Sequence, residues 1–147
     1  MVSYLVARSS RNPVTAWRQQ LTKEWWAEQC GQFACVISQE VIAEAMEGDA
    51  GMAAKRMAVL QGLPLISGGA ESAKLAADLL ERGLFPAVAR ADANHLAVAT
   101  CAAVDYLLTW NFRHLVNALV LHRLEKFIAE RGLHLPRVCT PEELMEI

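Results

Sequence analysis

Short apolar runs that alternate with helical stretches are the feature of this sequence that most constrains its fold. Four runs are rich in β-forming residues and are bounded by turn or helix signals. They span residues 33–38, 63–67, 105–109 and 137–140. Because none of them alternates polar with apolar residues, both faces of the sheet should be covered. The pattern therefore predicts an α/β fold with a mostly parallel sheet flanked by helices.

The helices of this fold are predicted from the spacing of apolar residues and from their capping residues. Ser38 should cap one helix, and Gly83 and Gly132 should end two others. Thr140 should cap a further helix start, with Glu143 completing a capping box. The predicted helices span residues 14–30, 39–47, 50–61, 70–82, 88–103 and 112–131.

Length and composition favour one domain, residues 1–147, without a linker or repeat. No apolar run reaches the roughly 18 residues of a spanning helix, and the first residues lack the features of a signal peptide. We therefore expect a cytoplasmic protein with no membrane partner. The net charge of −2 requires any nucleic-acid surface to be local. The cysteines show no CxxC spacing and are expected to be reduced thiols: Cys30, Cys35, Cys101 and Cys139.

Three polar side chains form the candidate site. Asn111 follows a predicted strand, Glu44 lies on the helix after another, and Asp92 lies in the first turn of an apolar helix. Taken singly, each has a structural explanation: Asn111 as a helix cap, Glu44 as a solvated residue and Asp92 as a favourable charge at a helix N-terminus. Taken together, they offer oxygen ligands at the edge of the sheet where ligands bind, and such ligands suit Mg²⁺ or Mn²⁺.

The residues around Asn111 provide candidate contacts to a phosphate group. Thr109 ends the predicted strand, and Arg113 and His114 follow at the predicted start of a helix. Backbone N–H groups at a helix N-terminus also favour phosphate. A separate group of tryptophans, which includes Trp17, is spaced for packing in the core or at a dimer interface. Base stacking is the alternative for these tryptophans, since basic residues lie nearby.

Three segments carry a resemblance to a known family: "SQEVIAEAMEGD", "ARADANHLAVATCAAVDYLLTWNFRH" and "VCTPEEL". Their residues and order resemble the PIN-domain proteins, which include the VapC-type toxins of toxin–antitoxin pairs. The resemblance implies a metal-dependent endoribonuclease on a Rossmann-like sheet, with RNA as substrate, an antitoxin protein as partner and a homodimer as assembly. By position, Glu44 and Asp92 match metal-binding carboxylates. Asn111 stands where many members have an acid and some have Asn, and these three residues form the implied catalytic set.

The start of the chain departs from the family pattern. PIN domains begin with a strand that ends in an acid followed by Thr or Ser, whereas no Asp or Glu precedes Glu24 here. A late start site and a degenerate protein both account for this. We therefore expect Mg²⁺ or Mn²⁺ to be weakly bound or absent and RNA to be cleaved poorly or not at all. Residues 2–7 should form an extended segment between the strands 33–38 and 105–109, or leave that place to a second subunit.

Two other functions remain open from the sequence. The first is a non-catalytic PIN-fold protein that binds an antitoxin-like partner or associates with itself. The second is a domain that binds a small phosphorylated ligand, which is disfavoured because no glycine-rich phosphate loop follows any predicted strand.

Overall fold

The structure, a computed structural model, describes residues 1–111 and 118–145. The chain divides into two compact units. The first unit comprises Met1–Leu65, Leu108–Trp110 and Cys139–Ile147. The second comprises Ile66–Leu107 and Asn111–Val138.

Short strands, each preceded by one or two helices, occur along the described residues, which agrees with the coarse prediction of an α/β chain. The helices are α1 (Val2–Val6), α2 (Pro13–Glu28), α3 (Gln39–Ala45), α4 (Ala50–Leu60), α5 (Gly69–Glu81), α6 (Arg90–Cys101) and α7 (Ala118–Ala129). The strands are β1 (Ile37–Ser38), β2 (Leu65–Ile66), β3 (Tyr106–Leu108) and β4 (Arg137–Cys139). Short 3₁₀ turns cover Cys30–Gln32, Ala87–Ala89 and Glu142–Leu144.

The strands form two parallel pairs, β1 with β2 and β3 with β4. The second pair is held by an N–H of Arg137 that donates to the Asp105 carbonyl at 2.9 Å and by an N–H of Thr109 that donates to the Cys139 carbonyl at 2.9 Å. Each strand is shorter than its predicted run. In β1 the missing residues are 33–36 at its start, where the Phe33 N–H donates to the Cys30 carbonyl at 3.1 Å in a turn and is not available to a strand. Ser38 ends β1 as predicted and caps α3 by accepting a hydrogen bond from the Val41 N–H at 3.3 Å.

The N-terminal segment is a helix, so the prediction of an extended segment over residues 2–7 is wrong. In α1 the Tyr4 N–H donates to the Met1 carbonyl at 3.0 Å, and the Ala7 N–H donates to the Ser3 carbonyl at 2.9 Å. These local bonds satisfy the backbone without a neighbouring strand. The helix packs against α2 and α4, which half-buries apolar side chains such as Leu5.

Two predicted helix-ending glycines and one predicted capping box are confirmed. Gly83 and Gly132 have φ values of +66° and +70° directly after helical turns, a conformation that glycine adopts without strain. Thr140 and Glu143 form the capping box: the Thr140 N–H donates to Glu143 Oε2 at 2.8 Å, and the Glu143 N–H donates to Thr140 Oγ1 at 3.3 Å. The turn that follows is a 3₁₀ turn in the described residues.

The second unit contains a continuous apolar core between α5, α6 and α7. Leu79, Leu96, Leu124 and Ile128 are almost fully buried there, and Phe85 closes the cluster after α5. This packing fixes α6, whose first turn carries a predicted site residue. In the part of the chain that the structure describes, no helix has both the length and the apolar character needed to cross a membrane.

Candidate functional site

Asp92 is held in place by the helix that carries it. It lies in the first turn of α6 and is half-buried, while Ala93 and Leu96 on the same helix are buried in the core. A carboxylate is favoured there by the unpaired N–H groups of the helix start. The core therefore fixes the direction of the helix, and the helix presents Asp92 at its edge.

Asn111 contacts Asp92 within the second unit. It lies three residues beyond the end of β3, and its Nδ2 atom is 3.4 Å from both Oδ1 and Oδ2 of Asp92. The two long hydrogen bonds share one amide group between both carboxylate oxygens. The structure thus brings together two of the three residues that the sequence selected.

The Asp92–Asn111 pair fits a cation that is only partly coordinated by protein. Asp92 supplies a carboxylate, and a half-turn of the Asn111 amide would exchange its donor nitrogen for an oxygen ligand. Mg²⁺ commonly binds through one or two carboxylates and completes its shell with water and substrate phosphate. Within residues 1–111 and 118–145, no group of three or more His, Cys, Asp or Glu side chains is placed to hold a metal ion. The pair therefore suits a weak site that substrate would complete.

Glu44 lies in the first unit, on α3, where its side chain is exposed. Its charge acts on the α-amino group of Met1. Burial lowers the pKa of that amino group, and the carboxylate of Glu44 raises it in part. The convergence of Glu44 with Asp92 and Asn111 on one cleft stays a prediction.

The remaining candidate residues differ in what the structure shows of them. The Thr109 backbone is fixed by its hydrogen bond to the carbonyl of Cys139, which places it at the carboxyl end of β3. Arg113 and His114 lie outside the described residues. Asp105 precedes β3, and its carbonyl accepts the hydrogen bond from the Arg137 N–H in the strand pairing.

An aromatic cluster in the first unit was not predicted from the sequence. The indole N–H of Trp110 donates to Thr22 Oγ1 at 2.8 Å, and the Arg18 guanidinium lies 5.4 Å from the centre of the Trp110 ring. The Trp17 ring meets Trp110 edge-on at 5.9 Å. The one signal in the sequence was the tryptophan between Thr109 and Asn111. This cluster ties the segment after β3 to α2.

Comparison with known proteins adds no relative. Models of protein families, curated proteins and solved structures give no match to this chain. The PIN-domain resemblance therefore depends on the quoted motifs, and what it implies is taken up as a proposal.

Proposed function

We propose that this chain is a PIN-like, metal-dependent endoribonuclease scaffold whose site is built around Asp92 and Asn111. The observation that carries the proposal is the contact of these two side chains at the start of α6 and beyond the end of β3. In parallel α/β proteins this end of the strands is the usual place for a ligand. A role for Glu44 as a further metal ligand is supported by the resemblance alone.

The chemistry of the site follows from its ligands. Bound Mg²⁺ or Mn²⁺ would lower the pKa of a water molecule and stabilise negative charge on the phosphate of RNA. Asp92 would bind the cation through its carboxylate, and Asn111 would contribute its amide oxygen after a half-turn of the amide. With one carboxylate and one amide in contact, we expect weak binding that depends on the substrate, and hence slow cleavage.

The partners of this function belong to the same proposal. The resemblance supports an antitoxin-like protein partner, a homodimer and a cytoplasmic location. Thr109, Arg113 and His114 would contact the phosphate backbone of RNA. Support for Arg113 and His114 comes from the sequence alone.

RNA cleavage by matched variants tests the proposal. The full chain is incubated with unstructured and structured RNA in Mg²⁺ or Mn²⁺, and with a chelator as the blank. We expect weak, metal-dependent cleavage that Asp92→Asn reduces by roughly 100-fold or more, since even the outer-shell partners of metal ligands contribute about 10–100-fold to metal affinity or activity. Asp105→Asn is the control, because it removes an exposed carboxylate outside the proposed site. Equal loss in both variants, or cleavage that survives the chelator, would contradict the proposal.

A second candidate, a binding protein without catalysis, is favoured by the exposed face of α2. Val14 and Trp17 lie about one turn apart with exposed fractions of 58% and 48%. Large apolar side chains exposed side by side are typical of interaction surfaces. Sedimentation over a range of concentrations tests self-association, which Trp17→Ser should weaken and the exposed Lys23→Ser should leave unchanged.

A further inference from the structure

Two of the four cysteines meet at the end of α2. Cys30 begins the 3₁₀ turn Cys30–Gln32, and Cys35 lies two residues before β1. Their Sγ atoms are 2.9 Å apart, which is inside the ordinary contact distance of two sulfur atoms. Both residues are half-buried, so small molecules in solvent can approach them. The pair lies wholly within the first unit.

The backbone around the pair explains why the two thiols meet. The Gln29 N–H donates to the Trp25 carbonyl at 2.8 Å, and the Phe33 N–H donates to the Cys30 carbonyl at 3.1 Å. The Phe33 ring then packs against Trp25 at 5.7 Å. These contacts turn the chain back on itself within six residues. Cys35 Sγ also lies 3.6 Å from the carbonyl oxygen of Cys30.

We propose that Cys30 and Cys35 are a dithiol pair that converts reversibly to an intramolecular disulfide, independently of the nuclease function. A disulfide forms with little backbone movement where the two sulfur atoms already lie close together, and the 2.9 Å between these atoms exceeds the bond length of about 2.05 Å by less than about 1 Å. The oxidant is a disulfide of the glutathione class. In a reducing compartment the pair stays as two thiols, and it oxidises when the ratio of oxidised to reduced glutathione rises.

The reaction proceeds by two thiol–disulfide exchanges. The Cys30 thiolate attacks one sulfur of oxidised glutathione, which forms a mixed disulfide and releases one glutathione thiol. Cys35 then attacks the Cys30 sulfur of the mixed disulfide, and the second glutathione leaves with the proton. In sum, two protein thiols and one oxidised glutathione give one protein disulfide and two reduced glutathiones. Burial and the hydrogen bond with Cys30 raise the pKa of Cys35 to about 12, so Cys35 stays protonated and is the less reactive thiol toward glutathione, which leaves the first attack to Cys30.

The disulfide would link the turn that follows α2 to the segment just before β1. Since β1 leads directly into α3, oxidation would shorten the free connection between two helices of the first unit. A cross-link lowers the conformational entropy of the unfolded chain, so the oxidised form should have the higher melting temperature.

Peptide mapping of the wild-type chain tests the proposal. The protein is equilibrated in glutathione buffers of increasing oxidised fraction, blocked with an alkylating agent, and digested with trypsin and chymotrypsin. Cys30 and Cys35 share one tryptic segment, because no Lys or Arg lies between Lys23 and Lys55, and Phe33 provides a chymotryptic cut between them. We expect the peptide that carries Cys30 and the peptide that carries Cys35 to stay linked without reductant and to separate when reductant is added. Titratable thiols in denaturant should fall from four to two.

Two variants control the experiment. Cys101→Ser should keep the cross-link, whereas Cys30→Ser should lose it, with circular dichroism confirming that both fold. The proposal is overturned if four thiols persist at every buffer ratio, or if Cys30 or Cys35 carries glutathione without forming the linked peptide. A link between other cysteines would also overturn it.

Discussion

The side chain of Asn111 is the position where one substitution should change the proposed site most. Asn111→Asp would place a second carboxylate beside Asp92, whose oxygens lie 3.4 Å from the present amide nitrogen. An added charge at this distance contributes about 1–4 kcal/mol, depending on the local dielectric. We therefore expect the affinity for Mn²⁺ to rise about tenfold or more, as measured by isothermal titration.

A double variant in which the two side chains are exchanged provides the control for this prediction. The double variant Asp92→Asn with Asn111→Asp keeps a single carboxylate in the contact, so its Mn²⁺ affinity should stay near that of the wild type. An affinity of Asn111→Asp equal to the wild type would show that these two side chains do not share a cation.

The Cys35 thiol predicts a dependence of stability on pH. Its pKa is raised from 9.0 to about 12, first by burial and then by the hydrogen bond with Cys30. The folded state thus holds a proton that the unfolded state loses, and the associated stability is complete below about pH 9 and is lost as pH rises toward 12. Urea unfolding under reducing conditions should show the wild type losing its advantage over Cys35→Ala above about pH 9. A difference that stays constant with pH would contradict this.

At the residue scale, the sequence predicted a contact between residues that the fold class places at the same edge of the sheet. Asp92 and Asn111 were selected because a helix start and a strand end meet at the same edge of a parallel sheet. The hydrogen bond between Trp110 and Thr22 was not predicted, because it joins residues far apart in the sequence through the packing of α2. The contact of Cys30 with Cys35 was also missed, since a separation of five residues does not fix the turn between them.

The C-terminus of α3 is held by an arginine from the next helix. Arg56 of α4 donates from Nε to the Ala45 carbonyl at 2.8 Å and from a terminal nitrogen to the Glu47 carbonyl. The last carbonyls of a helix lack partners within it, so this side chain replaces the missing donors. Arg56→Met should lower the free energy of unfolding by about 1–2 kcal/mol, as measured by urea denaturation.

The neighbouring lysine gives a matched comparison. Lys55→Met removes the same type of charge from an exposed position of α4 and should change stability by less than ~0.5 kcal/mol. If both variants lose the same stability, the loss reflects charge rather than the two hydrogen bonds of Arg56.

At the element scale, the helices were predicted better than the strands. Gly83 and the Thr140 capping box act through neighbours in sequence, so local rules identify them. The strands were predicted too long, because their ends depend on a pairing partner and on competing turns such as the one in which the Phe33 N–H donates to the Cys30 carbonyl. For α1 the prediction failed because it depended on the first strand of the family pattern, whereas the backbone of α1 is satisfied by local hydrogen bonds.

For the whole molecule, the position of the apolar core predicts where the fold is most resistant to opening. In the second unit α5 and α6 carry several buried residues each, whereas in the first unit the one buried residue of α3 is Ala45. Local opening is least favourable where most apolar area is buried. Hydrogen exchange followed by mass spectrometry should therefore show slower exchange in α5 and α6 than in α3. Faster exchange in α6 than in α3 would contradict this.

For the whole molecule, the sequence predicted an α/β chain but not the division of that chain into two compact units. Alternating helices and strands identified an α/β chain because each element has its own local signature. The two compact units follow from contacts between distant segments, such as Leu108–Trp110 with the N-terminal residues of the first unit. No local spacing encodes such contacts, so a single continuous sheet was the simpler expectation.

The distribution of tryptophans has a consequence for optical spectroscopy. Trp17, Trp25, Trp26 and Trp110 are the four indoles of the chain, and all of them belong to the first unit. Emission excited in the indole band therefore reports on that unit alone, while far-ultraviolet ellipticity reports on helices throughout the chain. If the two signals melt at one midpoint, the units unfold as one cooperative body. If they melt separately, the emission midpoint belongs to the first unit.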